Sequence, residues 1–114
     1  MSDQDCLFCK FIAKQIPIEL VAENDGAVAF NDINPQAPVH VLVIPKLHVS
    51  DLSELSKHPT DLTSVIQLAA QVAEELKLST GYRFVFNTGA QAGQSVFHAH
   101  GHLLGGRSMQ WPPG

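Results

Sequence analysis

The order of hydrophobic and polar positions divides the chain into short, well-bounded segments. Leu7–Ala13 (Leu-Phe-Cys-Lys-Phe-Ile-Ala) reads as a short N-terminal helix ended by Gln15-Ile16-Pro17. Glu19–Glu23 and Ala27–Asn31 read as strands on either side of Asn24-Asp25-Gly26, a hairpin signal. Asn34-Pro35-Gln36-Ala37-Pro38 is a loop, because proline denies a ladder its donor and biases its predecessor away from helix. Val39–Ile44 is almost wholly apolar, as a central strand covered on both faces is, and Pro45 stops it. Between Asp61 and Leu78, the residues Leu62, Val65, Ile66, Ala69, Ala70, Ala73 and Leu76 form a helical stripe. Thr60 is the expected N-cap, and Gly81 follows the end. Tyr82–Asn87 is an expected strand, Thr88–Gln94 a glycine-containing loop and Ser95–Leu104 a last strand broken by Gly105-Gly106. Trp111-Pro112-Pro113-Gly114 forms a rigid tail. Five strands with one long and one short helix predict an α+β fold on a five-stranded antiparallel sheet. With no repeat, low-complexity segment or linker, residues 1–114 form one domain.

Composition narrows the class. At 114 residues, 45% hydrophobic and 16% charged, the chain has the make-up of a soluble globular domain with a core of its own. Its net charge of −4 argues against a nucleic-acid polymer as partner, though not against one small nucleotide held by local donors. Met1-Ser2-Asp3-Gln4-Asp5 has no basic or apolar leader character, and no apolar run is long enough to cross a membrane. The two cysteines suggest reduced thiols or a metal site, and a cytoplasmic location is expected.

The candidate chemistry centres on His98, His100 and His102, half of the six histidines, at alternate positions in the last expected strand. A strand alternates faces with period two, so all three imidazoles share one face, with Ala99, Gly101 and Leu103 on the other. Such a row can ligate zinc, or its middle member can be a nucleophile whose neighbours fix its tautomer and handle protons. Upstream, Gly93, Gln94, Ser95 and Asn87 supply neutral donors of the kind that cradle phosphate oxygens, with glycine allowing close backbone approach. No carboxylate adjoins the triad to act as a hydrolytic base, so attack on phosphorus is favoured. His40 is either a satisfied core histidine or, if its strand joins the same sheet, a partner for His100. Asp32 is either a turn residue or an acceptor for ribose hydroxyls. Cys6 and Cys9 form half of a zinc site that His48 and His98 would complete; otherwise they are semi-buried thiols facing Ile12 and Phe11. His58, before Pro59, is assigned no role.

The run His98-Ala99-His100-Gly101-His102-Leu103-Leu104 resembles the signature of the histidine-triad (HIT) superfamily, in which histidines alternate with hydrophobic residues. The resemblance extends through Asp32–His40, Val43–His48, Gly93–Phe97 and the closing Trp-Pro-Pro-Gly, which points to the Hint branch, the histidine-triad nucleotide-binding proteins. It implies a HIT-like fold that dimerises into a continuous ten-stranded sheet. It also implies a purine nucleoside phosphoramidase that hydrolyses the P–N bond of adenosine 5′-phosphoramidates, including nucleotidyl-lysine compounds, to AMP. The reaction would run through a covalent nucleotidyl-histidine, with AMP, GMP and phosphoramidates as the ligands and no cofactor required for catalysis. Carried over by position, His100 is the nucleophile, and His40, His98 and His102 orient it and manage protons. Ser95 and Gln94 contact the phosphate or leaving group, and Asn87 the phosphate and ribose. Asp32 holds the ribose hydroxyls; Phe8, Phe30 and Ile33 line the base pocket. Trp111 belongs to a tail expected near the other protomer's site. Cys6, Cys9, His48 and His98 match residues that hold a structural zinc in some members. The alternatives are a dinucleoside polyphosphate hydrolase or nucleotidyl transferase of the same superfamily, a nucleotide-binding regulatory protein, and a zinc-dependent hydrolase. Ala99 and Gly101 depart from the bulkier signature residues, so a large neighbour is expected behind Gly101, or else reduced stability.

Overall fold

The computed structural model describes residues 5–114, so the leader reading at Met1–Gln4 lies outside the described residues. Five strands, β1 (Leu20–Glu23), β2 (Ala27–Asn31), β3 (Val39–Pro45), β4 (Tyr82–Phe86) and β5 (Gly101–Gly105), form one antiparallel sheet in the order β1-β2-β3-β5-β4. The apolar strand β3 occupies the centre, as its composition predicts, with Val41, Val43 and Ile44 fully buried. Asn24 builds the hairpin between β1 and β2: its side-chain oxygen accepts the N–H groups of Gly26 and Ala27 at 3.1 and 2.8 Å.

Among the described residues there are three α-helices: α1 (Leu7–Ile12), α2 (Leu52–Leu55) and the long α3 (Pro59–Glu75). The one-turn α2 is absent from the hydrophobic pattern because four residues carry no periodicity; Asp51 starts it by accepting the Glu54 N–H at 3.0 Å. The long helix begins at Pro59, before the expected Thr60 cap. Proline suits the first helical position, where no N–H is needed and φ is already set. It ends at Glu75, with Lys77 at φ +60 making the reversal expected further on. The buried stripe is Val65, Leu68, Ala69, Val72 and Ala73, rotated from the expected one, so Ile66, Ala70 and Leu76 lie on the exposed side.

This helix covers one face of the sheet, packing on Ala27, Ala29, Val41, Val43, Ala99 and Leu103. On the other face, Phe8 and Cys6 pack with Val28, Phe30, Leu42 and Ile44. The two faces divide the labour: α3 supports the sheet, and α1 meets the side that carries the histidines. Behind Gly101 stand Phe84 and Phe86 of the neighbouring strand, the bulky filling expected there.

Candidate functional site

The last strand is shorter than the sequence pattern suggests. It starts at Gly101, so His98 and His100 precede it and only His102 lies within it. The cause is across the ladder. Val43 pairs with Gly101, which places Pro45 opposite Ala99, and proline has no N–H to continue the pairing. The segment instead takes single bonds: the Ala99 N–H donates to Val49 O at 2.7 Å, and His98 Nε2–H to Pro45 O at 2.8 Å. The alternation of faces nevertheless holds. Ala99 and Leu103 enter the core under α3, while the rings of His98 and His100 meet Phe8 on the opposite face.

Those partners determine where each imidazole proton sits, because a carbonyl can only accept and a backbone N–H can only donate. His98 gives its Nε2 proton to Pro45 O, leaving Nδ1 as a lone pair. That lone pair lies 3.4 Å from Cys6 Sγ, 3.5 Å from Cys9 Sγ and 3.1 Å from His48 Nδ1, and Cys9 Sγ lies 3.1 Å from His48 Nδ1. Ligands of tetrahedral zinc at ordinary bond lengths sit about 3.3–3.8 Å apart, so these four atoms fit the ion to within a few tenths of an ångström. A ring nitrogen facing the cluster, with the other nitrogen bonded to a carbonyl, is the usual support of a metal-binding histidine. Cys6, Cys9, His48 and His98 therefore could hold a metal.

His100 donates Nδ1–H to the backbone carbonyl of His98 at 2.8 Å, which leaves Nε2 unprotonated. Burial holds its pKa below the ordinary value of 6.5, outweighing the bond to His98 and the Asp32 carboxylate. His40 has the opposite arrangement to His98. The Gln36 N–H donates to its Nδ1 at 3.0 Å, so the proton of the neutral ring lies on Nε2. From there it reaches His102 Nδ1 at 2.9 Å, with Asp32 Oδ2 at 3.4 Å. Asp32, His40 and His102 also converge closely enough for a metal, but a proton fixed on His40 Nε2 makes that atom a donor instead. His102 accepts at Nδ1 and so carries its own proton on Nε2. Burial first, then the neighbouring His100 and His40, push its pKa down to about 4. His40 thus meets His102, not His100 as its placement in the sheet suggests: in the ladder Leu42 lies opposite His102, and His40 is the next residue along on the same face.

The loop before the triad also differs in part from expectation. The side chain of Gln94 is committed inside the loop. Its Oε1 accepts the Gly89 N–H at 2.9 Å, and its Nε2 donates to Ser50 O at 2.7 Å and Val96 O at 3.0 Å. Gln94 therefore braces the loop. Gly93 has φ +94 at the end of a single 3₁₀ turn, Ala90–Ala92, and its N–H bonds Ala90 O. That left-handed backbone favours glycine there. Asn87 and Ser95 bracket the loop, the first half-buried and the second exposed.

Asp32 fills the first of its readings, that of a turn residue. Oδ1 caps the turn by accepting the Asn34 N–H at 2.8 Å, and Oδ2 faces His40. Phe8 and Phe30 are buried edge to face at 5.5 Å, whereas Ile33 is 98% and Trp111 84% exposed. Two contributors left no trace in the sequence reading, the N–H of Gln36 and the carbonyl of Pro45. Both act through the backbone, which every residue shares.

The chain is similar to known proteins along most of its length. The HIT domain family matches residues 13–109. The Adenylylsulfatase HINT1 of Arabidopsis thaliana is 47% identical over 117 residues, spanning 99% of this chain and 79% of that protein. A 14 kDa zinc-binding protein of Zea mays is 46% identical over 118 residues, spanning 100% of this chain and 91% of that one. Among solved structures, a HIT family hydrolase from Legionella pneumophila is 45% identical with a TM-score of 0.91, covering 96% of this chain and 100% of that chain.

Proposed function

This chain belongs to the HIT domain family, and on that premise we propose that it hydrolyses the P–N bond of purine nucleoside 5′-phosphoramidates through a covalent nucleotidyl-histidine. The observation that carries the reading is the fixed tautomer of His100, whose Nδ1–H is held by the His98 carbonyl so that Nε2 presents a lone pair. Nε2 attacks the α-phosphorus, the P–N bond breaks, and the leaving nitrogen takes a proton so that a neutral amine departs. Water then attacks phosphorus, the bond to His100 breaks, and the nucleoside monophosphate leaves. The proton given up by water replaces the one lost to the amine.

His102 supports this reading as a neutral donor. Its Nε2–H suits a phosphoryl oxygen, and His40 fixes its tautomer from behind. The exposed hydroxyl of Ser95 is the proposed contact that hands the proton to the leaving group. Asn87 contacts phosphate and ribose, Asp32 the ribose hydroxyls, and Phe8, Phe30 and Ile33 the base. Zinc held by Cys6, Cys9, His48 and His98 is proposed as a structural cross-link tying α1 to the triad, with no cofactor required for the chemistry. A second copy is proposed to join at β4, an edge of the sheet. Tyr82 is exposed at that edge, and a cleft of about 480 Å³ runs along Tyr82, Arg83 and Arg107. Trp111 would then approach the partner's site.

The Arabidopsis relative's name favours a second substrate, adenylyl sulfate. It offers the same α-phosphorus, but its sulfate leaving group departs without being protonated. The test incubates wild type and His100→Ala with adenosine 5′-phosphoramidate and adenylyl sulfate in EDTA. Release of AMP by wild type from the phosphoramidate, with the variant inert, supports the proposal. Turnover of adenylyl sulfate alone supports the second reading. Activity abolished in EDTA to the level of His100→Ala, and restored by zinc, indicates a metalloenzyme, and binding without turnover a regulatory protein.

A further inference from the structure

Two parts of the molecule belong to both the Cys/His cluster and the nucleophile. The first is His98. Its Nδ1 faces Cys6, Cys9 and His48, while its backbone carbonyl takes the Nδ1–H of His100 at 2.8 Å. The second is Phe8, which lies between the two cysteines in sequence, on the first turn of α1. Cys6 Sγ accepts the Cys9 N–H at 3.2 Å, so both thiols and Phe8 share one hydrogen-bonded turn. The Phe8 ring is 5% exposed and sits edge-on to His100, with centroids 5.2 Å apart at 88°, and to His98 at 5.9 Å. A six-residue helix has too few internal hydrogen bonds to hold itself, so α1 stays in place through what its side chains grip. On one side that grip is Phe30, which Phe8 and Phe11 contact at 5.5 and 5.4 Å; on the other it is the cluster.

We propose that the Cys6–Cys9–His48–His98 centre positions the nucleophile, with Phe8 and His98 as the positioning residues that connect metal loading to the alignment of His100. The inference rests on the structural-zinc reading above. Two thiolates and two neutral imidazoles leave a bound zinc with no net charge, so its influence on His100 is geometric, not a long-range field. No reaction step passes through the metal. Loading clamps the α1 turn, the turn holds Phe8 against the His100 ring, and His98, anchored at Nδ1, keeps its carbonyl on His100 Nδ1–H. Without the clamp, the ring loses both a packing wall and a firmly held acceptor. Small misplacements of a reacting group lower turnover steeply, and a shift well under 1 Å is expected to cost about tenfold in kcat.

The test uses the full chain, loaded with one equivalent of zinc or stripped by chelator, with zinc content measured in each preparation and folding followed by circular dichroism. Imidazole nitrogen–proton NMR observes His100, and kcat and KM are measured with adenosine 5′-phosphoramidate. Stripping is expected to move the His100 ring resonances and to lower kcat about tenfold with KM within about twofold, and returning zinc should reverse both. Phe8→Leu, with zinc still at one equivalent, should move the same resonances and lower kcat; a base-pocket role alone would raise KM instead. The proposal is overturned if zinc leaves while the His100 resonances and kcat stay put, or if loaded Phe8→Leu matches wild type in both. If stripping unfolds the chain, the loaded Phe8→Leu comparison decides. A chain that takes up no zinc refutes the structural-zinc reading and this proposal with it. If loaded wild type does not cleave the phosphoramidate, the functional reading fails and the NMR comparison still decides the coupling.

Discussion

Gly101 lies between His100 and His102, and its missing side chain is matched by the ring of Phe84 on the next strand. A Cβ at Gly101 would fall well inside contact distance of that ring and 3.0 Å from Phe86 Cε2. Gly101→Val therefore sets two effects against each other. A β-branched residue in a strand gains up to about 1 kcal/mol of propensity over glycine, whereas overpacking a filled site costs about 1–3 kcal/mol. Both aromatic neighbours are half-buried and pack against the core under α3, and the added Cβ would fall too close to the Phe84 ring for a small shift to relieve it, so the clash wins and the variant is less stable. Phe84→Ala alone leaves a void; full burial of a phenylalanine would make that cost about 3–5 kcal/mol, and half-burial brings it near 2 kcal/mol. In the double variant the valine occupies the space the ring vacated. The two costs should then fall short of additive by about 1–2 kcal/mol. Urea unfolding with an unchanged m-value measures all three variants. Activity should follow, since a displaced Gly101 shifts His100 before it and His102 after it: lost in Gly101→Val, regained in part in the double variant. Additivity to within about 0.5 kcal/mol would refute the packing argument.

Further outcomes follow from the site. Burial holds both His100 and His102 neutral, His102 with a pKa of about 4, so the acid limb of kcat/KM should fall below the ordinary histidine value of 6.5. The sign for stability is the same: as pH falls from 6.5 toward 4, the unfolded chain takes up protons that these rings refuse, and the fold weakens. Half-loss of activity at or above pH 6.5 would contradict this. Gln94→Ala removes three loop bonds and should cost about 2–3 kcal/mol in thermal or chemical unfolding as well as turnover. A pure phosphate contact would instead raise KM and spare stability. Cobalt in place of zinc should give the visible bands of a tetrahedral two-sulfur, two-nitrogen site. Saturating zinc at about 100 times its Kd should raise stability by about 2.7 kcal/mol. Cys6→Ser should weaken both signals, and a melting temperature indifferent to bound metal would count against a structural role.

The strands and their order of burial were legible in the sequence wherever pattern alone decides. Val39–Ile44 reads as the buried centre, Asn24-Asp25-Gly26 as the turn and Ala27–Asn31 as a strand with its observed bounds. What stayed hidden depended on register and on backbone partners. The histidine run alternates as a strand should, yet only the ladder shows that Pro45 stands opposite Ala99 and ends the pairing there. The same register sends His40 to His102. Gln94 carries the donors expected of a phosphate contact, and nothing in its residue type reveals that the Ser50 and Val96 carbonyls have already taken them. The stripe on α3 agrees at Val65, Ala69 and Ala73 and departs at Ile66, Ala70 and Leu76, which are apolar on a face this chain leaves exposed. The Cys6-x-x-Cys9 half-site, by contrast, was correctly joined to His48 and His98, because thiols and imidazoles announce their chemistry by type.

The central claim, that His100 Nε2 becomes bonded to phosphorus, is tested most directly by rapid acid-free quenching during turnover of adenosine 5′-phosphoramidate, followed by intact and peptide mass analysis. The account predicts one adenylyl group on the peptide containing His100, formed and lost at rates compatible with kcat and absent in His100→Ala. Turnover without any adduct, at a rate His100→Ala retains, would contradict it.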